Sequence, residues 1–280
     1  MPLRLTARLF LVSSVLLLCA SASHAQDGND DTALKPEEPD FTLISLPTAL
    51  RLPQYKSAFR VTHRFLEPLN QGTFGNLASD LFGIDNGAQI GLEYRFGIIP
   101  NGQIGIHRTS DKTIEFFAEY GVVRQGQHLP IEIAVTASIE GTNNFRTNST
   151  VVSSKSPALG AIVSRRVGQH AAFYVEPIYV NNSNPLPAQV VDFNSTFMIG
   201  LGARLRVRPT VYLVAEGAPR VWGYRPGTNH GSFAVEKRAG GHMFQLNFSD
   251  SFGTTMAQIA RGGNTPRDWY MGFNISRKFF

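Results

Sequence analysis

Cysteine is almost absent from this chain of 280 residues, because Cys19 is the only one. It lies in an apolar run over 9–20, which follows a positively charged start and precedes the small-x-small sequence 23–25. This order predicts a secretory signal peptide over 1–25, with cleavage after Ala25. The mature chain then holds no cysteine, which excludes disulfides, thiolate nucleophiles and cysteine metal ligands. The alternative is a lipoprotein acylated at Cys19, and the bulky residue before that cysteine disfavours it.

Long hydrophobic runs are the second thing that the chain lacks. After the predicted signal, no stretch reaches the length of a membrane-spanning helix. A transmembrane β-barrel also gives weak hydropathy, because lipid-facing and lumen-facing residues alternate and average out. The 26 glycines and 20 phenylalanines are typical of such a barrel, where strands pack closely and aromatic rings lie at the membrane interfaces.

Alternation of apolar and polar residues indicates strands along most of the chain. It is clear over 57–65, 87–96, 112–122, 130–140 and 197–207, and weaker over 103–109, 157–167, 171–181, 209–217, 232–237 and 241–249. A last strand occupies 269–280. The sequence therefore predicts an all-β fold, a transmembrane antiparallel β-barrel of about 12 strands.

The connections between these strands fall into two classes of length. Long ones cover 66–86, 141–156, 182–196, 218–231 and 250–267, with 110–111 as a short exception, and short ones cover 97–102, 123–129, 168–170, 208 and 238–240. Long and short connections alternate along the chain, as the longer extracellular loops and short periplasmic turns of an outer-membrane barrel do. A soluble β-sandwich has no reason to separate loop lengths in this way. The predicted location is the bacterial outer membrane.

The last strand has an apolar face that predicts membrane-interface contacts for Trp269, Phe273 and Phe279. Arg277 on the same face should reach the lipid headgroups. A barrel removes its sheet edges by pairing the last strand with the first, so we expect this strand to pair with residues 59–65. The expected partners are outer-membrane lipid and, through this C-terminal strand, the barrel-assembly machinery.

An acidic stretch separates the predicted signal from the first strand. Residues 26–40 hold six acids and one lysine, a composition that does not bury a core. We expect a flexible tail and lead-in over 26–52, followed by a barrel domain over 53–280. The remainder of the chain is basic, which we attribute to a charged lumen or to anionic lipid, because no nucleic-acid-binding signature is present.

Both ends of the predicted barrel resemble a family of uncharacterised bacterial β-barrel proteins. The resemblance lies in 42–48, 52–53 and 59–65 at the start, and in 242–249, 253–255 and 268–279 at the end. It implies an outer-membrane barrel and implies no activity, and no catalytic residue is carried over.

Charged side chains share the predicted inner face of the strands, because charge faces lipid only at high cost. The candidates for lining or selectivity in the lumen are Arg60, Arg64, Glu93, Arg95, Glu115, Glu119, Glu176, Arg204, Arg206 and Glu216, and Arg166, Glu132 and Glu140 share their face. Two interpretations stay open. The charges either pair with one another and fill a narrow interior, which we favour, or form a constriction that selects small anionic or zwitterionic solutes.

The histidines and serines show no catalytic motif. The mature chain has His63, His107, His128, His170, His230 and His242, without metal-ligand spacing, and we expect no metal and no cofactor. A membrane lipase could place its base at His63 or His242, although interface positions explain both. Ser249 and Ser251 follow His242 without a recognisable nucleophile motif.

The sequence therefore leaves the activity open. The preferred function is a passive or weakly selective pore for small solutes, or a structural barrel. An enzyme acting on lipid and a receptor or adhesion scaffold built from the long loops are the alternatives. Of these functions, we favour those without enzymatic activity.

Overall fold

The structure, a computed structural model, describes residues 37–70, 72–142, 155–183, 194–263 and 265–280. The predicted signal peptide over 1–25 and the stretch 26–36 lie outside these residues. Within the described parts, no helix has both the length and the apolar character that a membrane crossing requires.

Strands make up most of the described chain. Their bounds are β1 Ser57–Phe65, β2 Ala88–Ile99, β3 Gly102–Thr109, β4 Thr113–Val123, β5 Glu132–Thr142, β6 Ser156–Val167, β7 Ala171–Asn181, β8 Ser195–Arg208, β9 Val211–Ala218, β10 Arg220–Gly223, β11 His230–Ala239, β12 His242–Ser249 and β13 Tyr270–Phe279. Two short helices, α1 (Phe74–Ser79) and α2 (Met256–Arg261), lie in loops, and a 3₁₀ segment covers Leu81–Asn86.

All of these strands belong to one antiparallel sheet that closes on itself. Apart from β10, each strand pairs with the strands next to it along the chain, with β9 followed by β11, and β1 pairs with β13 in the register Ser57↔Phe279 and Val61↔Ile275. β8 pairs with both β9 and β10, which are two halves of one wall strand interrupted at Pro219. The described residues thus form a closed barrel of twelve strands, and the predicted seam between the first and last strands is confirmed.

The alternation of residue types predicted the strands well. The bounds of β1 and β7 coincide with the predicted ones, and the others differ by one to three residues at an end. β10 was missed because it has four residues and follows a proline, so it fell within a predicted loop. A proline cannot donate to the sheet, and it breaks the alternating pattern at that point.

The two faces of the wall differ as predicted. The outer face exposes large apolar side chains, among them Leu92, Phe116, Leu159, Phe173, Leu201, Phe233 and Leu246. The inner face buries charged and amide side chains, among them Arg60, Arg64, Glu93, Arg204, Glu236, Gln245 and Asn274. An apolar exterior around a polar interior is the arrangement of a membrane barrel, the inverse of a soluble protein.

Residues 37–50 depart from the flexible tail and lead-in predicted over 26–52, whereas 26–36 lie outside the described residues. Residues 37–50, which we call the plug segment, are all buried, and the chain turns back on itself between Thr42 and Pro47. Its apolar residues Leu43, Ile44 and Leu46 join a core cluster with barrel residues such as Tyr174 and Met198. The acidic composition of this segment predicted that it would lie in solvent. Composition cannot show that its acidic side chains meet arginines inside the barrel.

Space for the plug segment is provided by small residues on the wall. A Cβ atom on Gly202 would lie 2.1 Å from Leu43 Cδ1, so a larger residue there would displace the leucine side chain from its present position. Full burial of a leucine or isoleucine side chain stabilises by about 1.5–3 kcal/mol. The plug segment is therefore held by apolar packing as well as by hydrogen bonds.

The last long loop also folds inward rather than staying outside. Residues Met256 to Ala260 of α2 are buried, and Gln258 Oε1 accepts the backbone N–H of Thr255 at 3.4 Å at the start of the helix. Ser45 Oγ of the plug segment donates to Gly253 O at 3.3 Å, just ahead of this helix. The lumen is consequently filled from both ends by the chain itself.

Candidate functional site

The charges near β1–β4 form one connected ionic group. Arg60 lies 2.7 Å from Glu93, and Arg95 contacts Glu93 directly and Glu119 at 3.7 Å. Arg60 also donates to Thr42 Oγ1 of the plug segment at 2.6 Å. These side chains are buried and paired, so they hold the plug segment against the wall.

A second pair lies on the opposite wall. Arg204 Nε is 2.9 Å from Glu236 Oε2, and Arg204 donates to the carbonyl oxygen of Thr42 at 2.6 Å. Glu236 was not among the predicted lumen residues. It lies in a strand that the sequence predicted only weakly, four positions after Ser232 and on the same face. Both charges are completely buried, and each is compensated by the other.

The remaining lumen candidates differ in their surroundings. Arg64 donates to Asn274 Oδ1 at 2.8 Å and lies 3.4 Å from Ser45 Oγ. Glu115 accepts the backbone N–H of Met256 at 3.1 Å, at the start of α2. Both carboxylate oxygens of Glu176 are buried without a hydrogen-bond partner among the described residues.

Arg206 departs from the prediction. It is only partly buried, and it donates to the carbonyl oxygen of Pro209 at 3.0 Å in the turn between β8 and β9. Arg204, two residues earlier, reaches the centre of the barrel instead. The alternating pattern placed both arginines on the inner face. It does not show how far along the barrel axis a residue lies, and Arg206 lies at the end of the barrel.

The membrane-interface candidates lie on the outer face. Phe273 stacks on His63 with ring centroids 4.7 Å apart, and Trp269 lies 5.5 Å from Phe233. Arg277 lies 5.6 Å over the ring of Phe279 and 2.8 Å from His242 Nε2. His63 and His242 therefore pack within the outer aromatic layer.

Glu216, on β9, connects the plug segment to the wall. Its carboxylate accepts the backbone N–H groups of Ile44 at 2.9 Å, Ser45 at 2.9 and 3.0 Å, and Leu46 at 3.1 Å. Three successive N–H groups around one carboxylate form an anion-binding concavity. Hydrogen bonds to an ionised group are the stronger class, so this contact fixes the tip of the plug segment.

His230 extends this contact towards the loop after β12. Its Nε2 lies 3.0 Å from Glu216 Oε1, and its Nδ1 lies 3.0 Å from Ser251 Oγ and 3.5 Å from Asp250 Oδ1. Ser232 Oγ is 3.1 Å from the same Nε2. Sequence reasoning named His230 and Ser251 without pairing them, because 21 positions and a hairpin separate them.

The base of the plug segment lies at the end of the barrel that carries the short turns. Arg166 is 2.7 Å from Glu132 and 3.4 Å from both Glu37 and Glu38. Burial raises the pKa of Glu38 to about 7, against the opposing effects of the Tyr174 hydrogen bond and of Arg166. The plug segment enters and leaves at this end, since Arg51 lies 3.2 Å from the same Glu132.

Open space inside the barrel is concentrated at its two ends. A cavity of about 340 Å³ lies at the long-loop end, between α2 and the loops after β10 and β12, and one of about 530 Å³ lies at the short-turn end beside Arg51 and Arg166. Between them, beside Arg60 and Glu119, a space of about 30 Å³ remains. A volume of that size holds about one water molecule.

The fold is that of a transmembrane β-barrel, because the sheet is closed, its exterior is apolar, its interior is charged and its loops are of two lengths. The N-terminal segment of the chain forms a plug inside it. The family described as a membrane bound beta barrel domain (DUF5777) matches residues 40–279, and the chain belongs to this family. The protein is located in the bacterial outer membrane.

Solved structures with a similar fold include the following three. They are outer membrane phospholipase A from Escherichia coli (TM-score 0.45, 11% identity, 80% of this chain and 90% of that one), LpxR from Salmonella typhimurium (0.43, 11%, 80% and 99%) and Omp33 from Acinetobacter baumannii (0.42, 10%, 81% and 99%). Likeness at this level carries no argument about activity. Among curated proteins, no significant match was found.

Proposed function

We propose that this protein is a conduit for small solutes that is closed at rest by the plug segment and that opens only when this segment leaves the lumen. The observation that carries the proposal is the contact between Glu216 and the backbone of residues 44–46. A passive, permanently open pore is disfavoured, because residues 37–50 are buried along their whole length.

The path of the plug segment would allow it to leave the lumen and return. Its two ends lie near Glu132, where Arg166 and Arg51 both bind. A hairpin that enters and leaves by the same opening can withdraw without threading the chain through the barrel. Withdrawal would break a limited set of hydrogen bonds and leave every strand pairing of the wall intact.

The lining that withdrawal would expose is charged. Arg60, Arg64 and Arg204 each contact the plug segment, and Glu93 and Glu236 stand beside them. Rings of charged side chains select ions and small polar solutes in other pores. Small ionic solutes are therefore the expected cargo, outer-membrane lipid the expected surroundings, and the barrel-assembly machinery the expected partner of β13.

Planar-bilayer recording tests the proposal. The intact protein should be almost silent, and a variant lacking residues 37–50 should show large, stable conductance steps. A matched control lacks α1 (Phe74–Ser79), which has no buried residue, and should stay silent. Both variants should still migrate differently on gels when boiled and unboiled, which verifies the folded barrel.

A reversible closure test uses the near absence of cysteine. Ser276 Oγ donates to Asp40 Oδ2 at 2.6 Å, so Asp40→Cys with Ser276→Cys places two thiols where a bond or a short crosslinker can join them. Crosslinking should abolish the rare openings of the reduced protein. A folded plug-deleted variant that conducts nothing would instead leave a purely structural barrel as the function.

A further inference from the structure

The cluster around His230 has the geometry of a nucleophilic site. We propose that Ser251 is the nucleophile of an acyl-ester hydrolase site at the long-loop end of the barrel, with His230 as its base and Glu216 as the group that positions His230. Ser251 Oγ to His230 Nδ1 and His230 Nε2 to Glu216 Oε1 both measure 3.0 Å. A serine, a histidine and a carboxylate in series are the parts that such a site requires.

The cluster is held by contacts that leave it little freedom. Three backbone N–H groups of the plug segment fix the Glu216 carboxylate, and Ser232 Oγ lies 3.1 Å from His230 Nε2. The backbone N–H of Ser251 donates to Ser249 Oγ at 3.3 Å. A fixed carboxylate sets the orientation of the imidazole and the nitrogen that faces the serine.

Asp250 gives the site a second carboxylate. Its Oδ1 accepts the backbone N–H of Gly231 at 3.0 Å and lies 3.5 Å from His230 Nδ1. With Glu216 at the other ring nitrogen, it stabilises the imidazolium that forms when the serine proton is taken up. An imidazole must be neutral to accept the serine proton, so we expect the activity to rise towards alkaline pH.

The cavity of about 340 Å³ provides room for a substrate next to Ser251. Ser251 lines this cavity together with Tyr224, Phe252, Gln258 and Tyr270, and the Phe252 and Tyr270 rings lie 4.2 Å apart. The volume is at the lower end of the range for small-molecule sites. The aromatic wall suits a short acyl chain, presented from the side of the long loops.

The reaction consumes one ester and one water. Ser251 Oγ bonds to the acyl carbon while its proton moves to His230 Nδ1, and the imidazolium then protonates the departing alcohol. A water next adds to the acyl carbon, gives its proton to His230 and releases the carboxylic acid, and the proton returns to Ser251 Oγ. No oxidant, metal or cofactor enters this balance.

A serine-directed fluorophosphonate and the ester p-nitrophenyl butyrate test the site on the full-length protein in detergent micelles. We expect a covalent phosphonate adduct on Ser251, identified by peptide mass spectrometry, and ester hydrolysis that Ser251→Ala lowers by about a thousand-fold. Ser164→Ala is the matched control, because Ser164 is also a buried serine of the inner face, on β6, and does not line the cavity, and it should keep both signals.

The pH profile separates a base from a merely structural histidine. Asp250→Asn removes a charge that favours the imidazolium, so the alkaline rise of hydrolysis and of labelling should move to lower pH. The proposal is overturned if the folded wild-type protein gives no Ser251 adduct and no hydrolysis between pH 7 and 9.5. Neither result depends on conductance, so the conduit and the hydrolase site stand or fall separately.

Discussion

Both carboxylate oxygens of Glu216 accept the backbone N–H of Ser45, at 2.9 and 3.0 Å, although 171 positions separate the two residues. The tip of the N-terminal segment is thereby tied to the middle of the wall. Glu216→Gln replaces the carboxylate with a neutral amide. One of its two acceptor oxygens becomes an NH₂ group, which cannot accept the backbone N–H groups of the plug segment. We expect brief channel openings in planar bilayers that are more frequent than those of the wild type.

Glu176→Gln is the matched control for that change. Glu176 is also a buried glutamate of the inner face, on β7, and its carboxylate has no hydrogen-bond partner among the described residues. The plug segment should stay in place in this variant. Equal opening frequencies in the two variants would show that the contact with Ser45 does not retain the plug segment.

Steric expulsion of the plug segment provides a second test. A Cβ atom at Gly202 would collide with Leu43, so Gly202→Val should displace the tip and raise conductance without any deletion. Leu43→Ala removes the colliding atoms, and the double variant should return to low conductance. A double variant as open as Gly202→Val alone would contradict this explanation. The readout is single-channel open probability at fixed voltage.

The retention of the plug segment should weaken as the pH rises. Glu38 faces Tyr174, Arg166, Arg204 and Glu132, and its burial raises its pKa to about 7 from an ordinary value of 4.5. Between pH 4.5 and about 7 the docked Glu38 keeps its proton while a withdrawn segment loses it. Docking is therefore most stable below pH 4.5 and loses up to roughly 3 kcal/mol as the pH rises to about 7.

We therefore expect more frequent openings at pH 8.5 than at pH 5.5. Glu38→Gln keeps the shape of the side chain and cannot ionise, so its opening frequency should vary less between these two conditions. A wild-type protein that opens more at pH 5.5 would reverse the predicted sign.

The pair of Arg204 and Glu236 should matter for stability. Arg204→Ala leaves a completely buried glutamate without its partner at 2.9 Å, which costs about 3–5 kcal/mol. The double change to Arg204→Leu and Glu236→Leu removes both charges and should cost much less. The measurement is the urea midpoint of unfolding in detergent, followed by gel migration of unboiled samples.

The seam between β1 and β13 can be tested from its lipid side. Ile275 lies opposite Val61 in the middle of the seam, and a charge facing lipid there costs about 2–4 kcal/mol. Ile275→Lys should reduce the fraction of folded barrel. Arg277→Lys, near the end of the same strand, keeps its charge and should fold as the wild type does.

The fold could be predicted from the sequence because a barrel strand is a local pattern. Residues such as Phe59, Val61 and His63 alternate with Arg60, Thr62 and Arg64, and this period of two is independent of the partners that the strand meets. The inner placement of Arg60 and Glu93 followed from the same pattern. The short strand β10 escaped because Pro219 interrupts the pattern before it.

The plug segment and the site at Ser251 could not be predicted in this way. Residues 37–50 have no periodicity, and their acidic start is typical of solvated tails; only the closed barrel supplies the Arg166 and Glu216 that bind them. His230 and Ser251 meet because β11 and β12 pair in a register that places Ser232 opposite Ser249.

The sequence by itself determined the strands, their two faces and the membrane location, since each depends on neighbours along the chain. The tertiary structure alone decided what fills the lumen, because that depends on contacts that no local pattern shows, such as the one between Ser45 and Glu216, 171 positions apart.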